Sequence, residues 1–569
     1  MPILKFFTNR GAACFFIFFS PLLALVNLSA LEIQPYDEAY YVLRAKAIVL
    51  FDCWLDQTDY AVGGFYSGSH PPLLIWLMAL SGKLFGHNAF TARLWSVAAL
   101  AGSLWFIHAL ARRTSGYPEA FFAVLLLGFM PLVMWFSRVA QFDILVMMFS
   151  LAQVLCYTVY LDTENRKFLA LGGVMLGLAL LSKTLVGVFA GLAIGMHTLY
   201  RLWRKETSRK DFLVDNALFF SIGFGIGLSW FVLVCATHDG FFMRYLDWYI
   251  INRMQVNQVG SNHYTGYFYY LNVLVTRFPI SLLGIIWVHR FLSDSNFRTS
   301  HRVLWLLWFI VPFVVLSLAE TRLIWYFFIF LPPLVLVVSE SAVIALGTMK
   351  DTMTRVALCF CGVAGIHSAT QTWHRTILDS IFKTHDFFQT NEPLHLAVIV
   401  LLIVLVVGVL WVISRKDFAP SLFTRLTLPL CMVFGASVPV LQHSATMRPY
   451  SGTKGASECV HAQSPSAIFH FVEQKMLDDK IYTPHFSYYF NGIDIDSTRW
   501  QSHFFYRKFA IEDCDSILPS LLRTFPDAAI IVERIFRPQD ELLFSKKADA
   551  IGLSRVFYER DYSVYIRKD

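Results

Sequence analysis

The sequence has few charged residues for its length. Asp, Glu, Lys and Arg make up only 15% of the 569 residues, whereas hydrophobic residues make up 56% and phenylalanine alone occupies 53 positions. A soluble multidomain protein needs far more polar surface to cover its hydrophobic cores. The shortage of charge therefore excludes an ordinary soluble protein and predicts a polytopic α-helical membrane protein.

Cysteine pairs and internal repeats are also missing. The nine cysteines are scattered with no CxxC pair, and the one close pair, Cys359 and Cys361, lies in an apolar segment without His or acidic neighbours. This pattern excludes the usual zinc and iron–sulfur motifs. The chain has no repeat or low-complexity segment, which counts against the commonest transporter architectures because these are built from repeats.

Apolar runs long enough to cross a membrane recur along the chain. A transmembrane helix needs about 20 predominantly apolar residues. Runs of this kind begin near Ala12, Phe90, Ala120, Asp143, Phe168, Thr184, Phe212, Tyr267, Val303, Leu323, Val356, Leu394 and Leu426. The first run could be a cleaved signal peptide, but its length favours a retained helix. The sequence therefore predicts about thirteen spans.

The net charge of +7 follows the membrane topology and does not indicate a nucleic-acid partner. Lys and Arg collect in every second loop, as they do in cytoplasmic loops. The clusters are Arg112–Arg113, Arg166–Lys167, 201–210, Arg298 with Arg302, Lys350 with Arg355, and Arg415–Lys416 with Arg425. The other loops are predicted to face outward, and an odd number of spans sends the C-terminal stretch outward as well.

Residues 444–569 have the composition of a soluble domain. The pattern predicts a helix over 465–476, a strand over 528–532 and a terminal hairpin over 555–567. We therefore expect a transmembrane domain over 1–443 and a small mixed α/β domain over 444–569 outside the membrane. In an oxidising compartment Cys459 and Cys514 could form a disulfide, and two free thiols are the alternative.

The loops predicted to face outward contain an unusual set of polar residues. These include Asp37, Glu38, His70, Arg138, Asp143, Lys183, Asn252, Arg253, His263, Glu320 and Arg322. Their collection on one side of the membrane favours a shared site. Lys183 and Arg322 run against the positive-inside bias. Together with Arg253 they predict an outward site that suits a phosphate. Arg138 is expected to snorkel to lipid headgroups, and His263 is equally well explained as a structural residue.

Asp37 and Glu38 follow the first apolar run and open a predicted helix. A carboxylate in the first turn of a helix is stabilised by the helix dipole, which accounts for one of the two. Asp37 shares a predicted helix face with Tyr41 and Arg44, whereas Glu38 points elsewhere. A carboxylate at a dry membrane boundary, opposed to a phosphate pocket, has the chemistry of a general base for a hydroxyl nucleophile.

In this order the motifs resemble the polyprenyl-phosphate-sugar glycosyltransferases of the GT-C type. The matching residues are Asp37–Glu38, His70 with Pro71 and Pro72, Asp143, the segment GLALLSK ending at Lys183, Asn252–Arg253 with His263, and SLAETRLIWY over 317–326. The resemblance runs from about residue 31 to 338. The family includes the dolichyl-phosphate-mannose protein mannosyltransferases and the bacterial aminoarabinose transferases of lipid A.

The resemblance implies an inverting transfer of a sugar from a polyprenyl-phosphate donor to a lipid or protein hydroxyl. It implies that Asp37, Glu38 and Asp143 are catalytic carboxylates. It also implies that Lys183, Arg253 and Arg322 are the cations that bind the donor phosphate. The substrate-binding residues are expected to be Tyr40, Tyr41, His70, Asn252, His263 and Tyr326. The implied location is the inner membrane, with the active site and C-terminal domain on the periplasmic face.

Two positions depart from the aminoarabinose transferase pattern. Those enzymes typically have an Arg three residues after the Asp and a Glu-Lys before the paired prolines, whereas this chain has Tyr40 and Ser69–His70. The specific lipid A assignment is thereby weakened. Ser69 removes an acidic group that could hold a metal, so no metal or other cofactor is expected.

Two other classes of function remain open. A transporter or flippase of a lipid-linked sugar would need polar residues through the membrane midplane, where the predicted spans are largely apolar. A non-catalytic envelope assembly protein would leave the one-sided collection of acids and cations unexplained.

Overall fold

The computed structural model describes most of the first 347 residues and a smaller part of the C-terminal region. The described residues are 10–29, 32–34, 37–58, 65–255, 266–347, 453–463, 465–472, 505–510, 513–533, 544–545, 548–559 and 562–567. They fall into two compact units. The first unit takes its residues from Met1–Val26, His70–Leu74 and Leu94–Gln442, and the second from Asn27–Ser69, Ile75–Arg93 and His443–Asp569.

The described residues up to 347 are almost entirely helical. The α-helices are α1 Arg10–Leu25, α2 Asp37–Phe51, α3 Phe65–Gly68, α4 Leu73–Phe85, α5 Ala89–Thr114, α6 Tyr117–Gly128, α7 Pro131–Phe136, α8 Phe142–Thr163, α9 Arg166–Ser182, α10 Thr184–Gly187, α11 Phe189–Trp203, α12 Arg209–Gly227, α13 Ser229–Thr237, α14 Phe241–Leu246, α15 Asn252–Gln255, α16 Tyr269–Arg277, α17 Gly284–Ser293, α18 Ser300–Leu318 and α19 Phe327–Gly347. A π-helical turn, Asp247–Ile251, joins α14 to α15. Short 3₁₀ turns cover Gly266–Phe268, Pro279–Leu283, Ser295–Phe297 and Ile324–Tyr326.

Within the described residues, five helices are long and apolar enough to cross a membrane, or seven if each of two bent pairs forms one span. The bent pairs are α12 with α13, at 44°, and the segment around α16 with α17, at 91°. Pro279 explains the sharper bend, because the residue before a proline is pushed out of the helical region and Phe278 has φ −138° and ψ 61°. The predicted spans near Val356, Leu394 and Leu426 lie outside the described residues, so the number thirteen stays a prediction.

Glycines allow α9 and α12 to pack closely within the first unit. Gly173 and Gly177 on α9 are spaced four residues apart, as are Gly223 and Gly227 on α12. A Cβ at Gly173 would lie 2.7 Å from the carbonyl oxygen of Phe219, and one at Gly177 would lie 2.6 Å from Cβ of Ile226. Small residues at this spacing are typical of helix pairs in membranes, where backbones approach closely. The contact fixes the position of α9, which Lys183 directly follows.

Arg138 corrects one expectation from the sequence. Its side chain is buried, and its Nη1 donates to the carbonyl oxygens of Ala24, at 2.6 Å, and Val26, at 2.7 Å. These carbonyls lie at the C-terminal end of α1, where helix carbonyls lack intrahelical partners and the helix dipole favours a cation. The prediction that Arg138 snorkels to headgroups is therefore wrong.

The C-terminal residues of the second unit form a mixed α/β fold. Helices α20, Thr453–Gln463, and α21, Cys514–Thr524, accompany strands β1 Ala467–Val472, β2 Phe505–Ala510, β3 Ala529–Glu533, β4 Leu553–Glu559 and β5 Tyr562–Arg567. The strand order is β2-β1-β3-β5-β4. Strand β1 pairs parallel with β2 and β3, while β5 pairs antiparallel with β3 and β4. The predicted strand near 528–532 and the terminal hairpin are both confirmed.

The predicted helix over 465–476 is wrong, because its described part is strand β1. All six residues of β1 are buried. Phe469 and Phe471 pack in the core that includes Leu518 of α21, and Ile468 packs on the other face with Val460 of α20. A strand covered on both faces has a continuous apolar sequence, which periodicity alone cannot distinguish from a buried helix.

Cys459, on α20, is a half-buried free thiol. Burial raises the pKa of this thiol, which keeps it protonated and unreactive at neutral pH. Cys459 is therefore a free thiol and not half of a disulfide.

Candidate active site

Glu38 is held at the start of α2 by a buried ion pair. Arg93 donates from Nε to one Glu38 carboxylate oxygen and from Nη2 to the other, each at 2.8 Å, and both side chains are almost completely buried. Glu38 Oε2 also accepts a hydrogen bond from the backbone N–H of Gln34, at 2.7 Å. Arg93 also donates to the carbonyl oxygens of Leu28 and Glu32. Together these bonds tie the loop before α2 to the first turns of α5.

Arg93 was not singled out from the sequence. Its partner Glu38 is 55 residues away along the chain, and local spacing carries no information about such a pair. A usable signal was present, however. Arg93 is a single cation near the N-terminus of the apolar helix α5, where the helix dipole disfavours positive charge unless a carboxylate compensates it.

Asp37 differs from Glu38 in exposure. Asp37 is partly exposed in the first turn of α2, while Glu38, Tyr40 and Tyr41 are buried. Arg44, two turns after Asp37 on the same helix, donates from Nε and Nη2 to Oε1 of Gln57 at 3.0 and 2.7 Å. Asp37 is thus the member of the acidic pair that a reactant in solution or lipid can reach.

Asp143 and Lys183 form an ion pair inside the first unit. Lys183 Nζ lies 2.9 Å from Asp143 Oδ1, with only 16% of the lysine side chain and 5% of the aspartate side chain exposed. Asp143 is in the first turn of α8, where the helix dipole stabilises its negative charge. Lys183 follows α9 in an extended backbone conformation, so its side chain does not continue the helical arrangement of the α9 side chains.

An aromatic ring completes the surroundings of this lysine. The ammonium of Lys183 lies 5.4 Å from the centroid of the Tyr326 ring, within the range of a cation–π contact. Tyr326 is buried in the 3₁₀ turn before α19. The sequence predicted Asp143, Lys183 and Tyr326 as site residues from three separate motifs, and the structure brings all three together.

Arg322 is folded onto its own loop. Its Nε donates to the carbonyl oxygen of Ser317 at 3.1 Å, and its Nη1 lies 3.8 Å from a carboxylate oxygen of Glu320. The guanidinium carbon lies 5.3 Å from the centroid of the Tyr267 ring. The side chain is buried. A buried guanidinium with one weak carboxylate contact retains donors with which it can bind an anion.

His70 contacts the start of α8. Its ring stacks on that of Phe142, with centroids 5.5 Å apart and planes 5° apart, and Phe142 directly precedes Asp143. His70 Nδ1 is hydrogen bonded to the Tyr249 hydroxyl at 3.2 Å. His70 is therefore linked to the Asp143 region through an aromatic stack.

The remaining predicted residues are described only in part. Asn252 Nδ2 donates to Asp247 Oδ2 at 3.3 Å. Arg253 lies in α15, but its side chain is outside the described part of the structure, as is the whole of His263. Across the described residues, the structure brings together no group of three or more His, Cys, Asp or Glu side chains that could hold a metal ion.

Comparisons with known proteins identify relatives. The family model described as dolichyl-phosphate-mannose-protein mannosyltransferase matches residues 69–232. An undecaprenyl phosphate-alpha-4-amino-4-deoxy-L-arabinose arabinosyl transferase of Proteus mirabilis is 26% identical over 63% of this chain and 64% of its own length. The enzyme of the same name from Pseudomonas aeruginosa is 25% identical over 57% of this chain and 58% of its own. The chain thus matches about three fifths of the length of these curated relatives.

The fold is also that of a protein whose structure has been solved. ArnT from Cupriavidus metallidurans, in a crystal structure bound to undecaprenyl phosphate, matches with a TM-score of 0.67 over 98% of both chains at 18% identity. The chain is therefore a polytopic membrane protein with the GT-C fold, and its resemblance to the polyprenyl-phosphate-sugar glycosyltransferases is confirmed.

Proposed function

We propose that this chain, a membrane protein with the GT-C fold, is an inverting glycosyltransferase that uses a polyprenyl-phosphate sugar as donor and a lipid or protein hydroxyl as acceptor. The observation that carries the proposal is the Asp143–Lys183–Tyr326 cluster, in which a largely buried ammonium group lies between a carboxylate and an aromatic ring. The donor named for the arabinosyl transferase relatives, a sugar on undecaprenyl phosphate, supports the choice of donor class.

Lys183 is proposed to bind the donor phosphate. In the transfer, the bond between the anomeric carbon and the phosphate oxygen breaks and the phosphate leaves with one additional negative charge. An ammonium group held in a water-poor site stabilises the phosphate more strongly in the transition state, where this charge develops, than in the bound donor. It therefore lowers the activation barrier as well as the free energy of donor binding. Asp143 holds the ammonium of Lys183 in position before the donor arrives. Arg322 and Arg253 are proposed as further cations for the phosphate.

Asp37 is proposed as the general base. It would take the proton from the acceptor hydroxyl as the oxygen forms a bond with the anomeric carbon, which inverts the configuration at that carbon. Glu38 is less suited to this step because both of its oxygens accept hydrogen bonds from Arg93. We therefore assign Glu38 a supporting role in orienting α2. Tyr40, Tyr41, Asn252, His263 and Tyr326 remain proposed substrate contacts.

The proposed location is the inner membrane, with the site residues and the C-terminal α/β domain on the periplasmic side. This orientation is supported by the alternation of Lys and Arg clusters along the loops. It would place the lipid-linked donor in the outer leaflet.

A transfer assay tests the proposal. Purified protein in lipid nanodiscs is supplied with a radiolabelled undecaprenyl-phosphate sugar and an extract of envelope lipids and proteins, without an ion gradient. We expect labelled acceptor to form with the wild-type protein. Lys183→Met should abolish most of this transfer, whereas Lys167→Met, which removes an exposed lysine at the opposite end of α9, should not.

Two results would contradict the proposal. One is the absence of product with every polyprenyl-phosphate sugar offered. The other is an equal effect of the two lysine substitutions, which would show that the transfer does not depend on the Asp143–Lys183–Tyr326 cluster. Movement of the labelled donor across a vesicle membrane without product would favour a flippase instead.

A further inference from the structure

The π-helical turn Asp247–Ile251 is an irregular piece of helix that is linked through Tyr249 and His70 to Phe142, the residue before Asp143. It interrupts the helical segment from α14 to α15, and the N–H of Asn252 bonds to the carbonyl oxygen of Asp247, five residues earlier. Turns of this kind are uncommon and are found frequently at functional sites, because the extra residue changes the direction of the side chains around it. The side chain whose direction matters here is Tyr249.

Tyr249 is the inward-facing member of the turn. Trp248, Ile250 and Ile251 are exposed, whereas Tyr249 is half-buried and its hydroxyl is bonded to His70 Nδ1 at 3.2 Å. The Tyr249 ring also stacks on Tyr245, with centroids 4.8 Å apart. The ring therefore has packing partners of its own, and the hydroxyl makes a separate polar contact.

His70 transmits this contact to the ion pair. Pro71 and Pro72 follow His70 and restrict the backbone on its C-terminal side. The His70 ring lies parallel to Phe142, the first residue of α8. Because Phe142 and Asp143 are consecutive, the position of the Phe142 ring constrains how Asp143 enters the helix and how it meets Lys183.

We infer that Tyr249 is a positioning residue for the proposed sugar transfer: acting through His70 and Phe142, its hydroxyl holds the Asp143–Lys183 pair in the geometry that receives the leaving phosphate. This inference rests on the proposed function. It assigns His70 a positioning role in place of a direct substrate contact. It also explains the π-helical turn, which orients the Tyr249 side chain toward His70.

Tyr249→Phe tests the inference because it removes only the hydroxyl. We expect the turnover number to fall about two- to tenfold, the range for loss of one neutral hydrogen bond. The dissociation constant of the donor should change less than twofold, because a misplaced ammonium loses more stabilisation of the developing charge than of the bound donor. The thermal unfolding midpoint should stay close to that of the wild-type protein. A merely structural role would lower the unfolding midpoint and leave the turnover number of the folded protein unchanged.

Two further variants make the test specific. Tyr245→Phe is the matched control, since it removes a hydroxyl from the same aromatic stack and leaves the Tyr249 hydroxyl in place; we expect normal turnover. His70→Phe keeps a ring to stack on Phe142 but removes Nδ1, and in this background Tyr249→Phe should cost nothing more.

The outcomes separate the two proposals. If the wild-type protein transfers sugar and Tyr249→Phe is as active as Tyr245→Phe, the inference on Tyr249 is overturned and the proposed function stands. Additive losses from His70→Phe and Tyr249→Phe would likewise overturn it. If the wild-type protein transfers no sugar, the proposed function fails and the inference fails with it.

Discussion

At the scale of single residues, the two neighbouring acids Asp37 and Glu38 have different surroundings. Glu38 is buried against Arg93, with its carboxylate bonded at both oxygens, while Asp37 on the same first turn of α2 is partly exposed. An intact buried ion pair contributes little to the free energy of unfolding. Removal of one partner, however, lowers the stability of the protein by about 3–5 kcal/mol. The two residues should therefore respond to substitution in different ways.

We expect Asp37→Asn to remove turnover and Glu38→Gln to reduce stability. Asp37→Asn keeps the size of the side chain but cannot accept a proton, and loss of a general base typically costs about a hundredfold to ten-thousandfold. Glu38→Gln leaves Arg93 buried without its carboxylate, so the thermal unfolding midpoint should fall while the folded fraction retains more activity than Asp37→Asn. Turnover per folded molecule and unfolding curves measure both. A dead, stable Glu38→Gln beside an active Asp37→Asn would transfer the catalytic role to Glu38.

Two buried arginines of the first unit offer a second comparison. Arg138 holds the carbonyls at the end of α1, whereas Arg322 lies in its own loop beside Tyr267. Arg322→Ala should weaken donor binding, measured directly with a labelled polyprenyl phosphate. Arg138→Ala should lower the unfolding midpoint and leave the donor affinity of the folded protein unchanged. Equal losses of donor affinity would remove Arg322 from the phosphate-binding set.

At the scale of helices and strands, the sequence predicts most elements whose pattern is local. The apolar runs mark the long helices, and Lys183, predicted to lie in a loop, directly follows α9. Strand β1 is missed because burial on both faces erases the alternation that identifies strands. The Glu38–Arg93 pair and the contacts of Arg138 are missed for another reason. Both join segments that are distant in sequence, and the local periodicity of a sequence carries no information about such contacts.

The contact between α9 and α12 can be tested with two glycines. At Gly173 a methyl group would meet the backbone carbonyl of Phe219, which cannot rotate away, whereas at Gly225 on α12 there is open space. We expect Gly173→Ala to destabilise the protein by about 1–3 kcal/mol, as overpacking does in cores. Gly225→Ala should be neutral or slightly stabilising, because Ala is the better helix former. Thermal unfolding in detergent compares them, and equal midpoints would show that the helices are not in close contact.

At the scale of the whole molecule, the proposed roles are divided between the two units. Asp143, Lys183 and Arg322 belong to the first unit, whereas Asp37 and Glu38 belong to the second, together with the C-terminal residues. The predicted division into domains 1–443 and 444–569 follows composition, and it stays a prediction. The described residues from Thr453 onward form a sheet with its own buried core. These residues lie beyond the family resemblance, which ends near residue 338.

Deletion of residues 444–569 should therefore separate donor binding from turnover. The phosphate-binding cations proposed for the first unit remain in the shortened chain, so we expect the affinity for a labelled polyprenyl phosphate to be retained, provided that the remaining helices insert into the membrane. Turnover should fall, because α2 with Asp37 belongs to the same compact unit as the deleted residues. Donor binding and transfer are measured on the same preparation, with size-exclusion behaviour as the check on folding. Loss of donor affinity in a well-folded truncation would contradict this division and give the C-terminal domain a direct part in holding the donor.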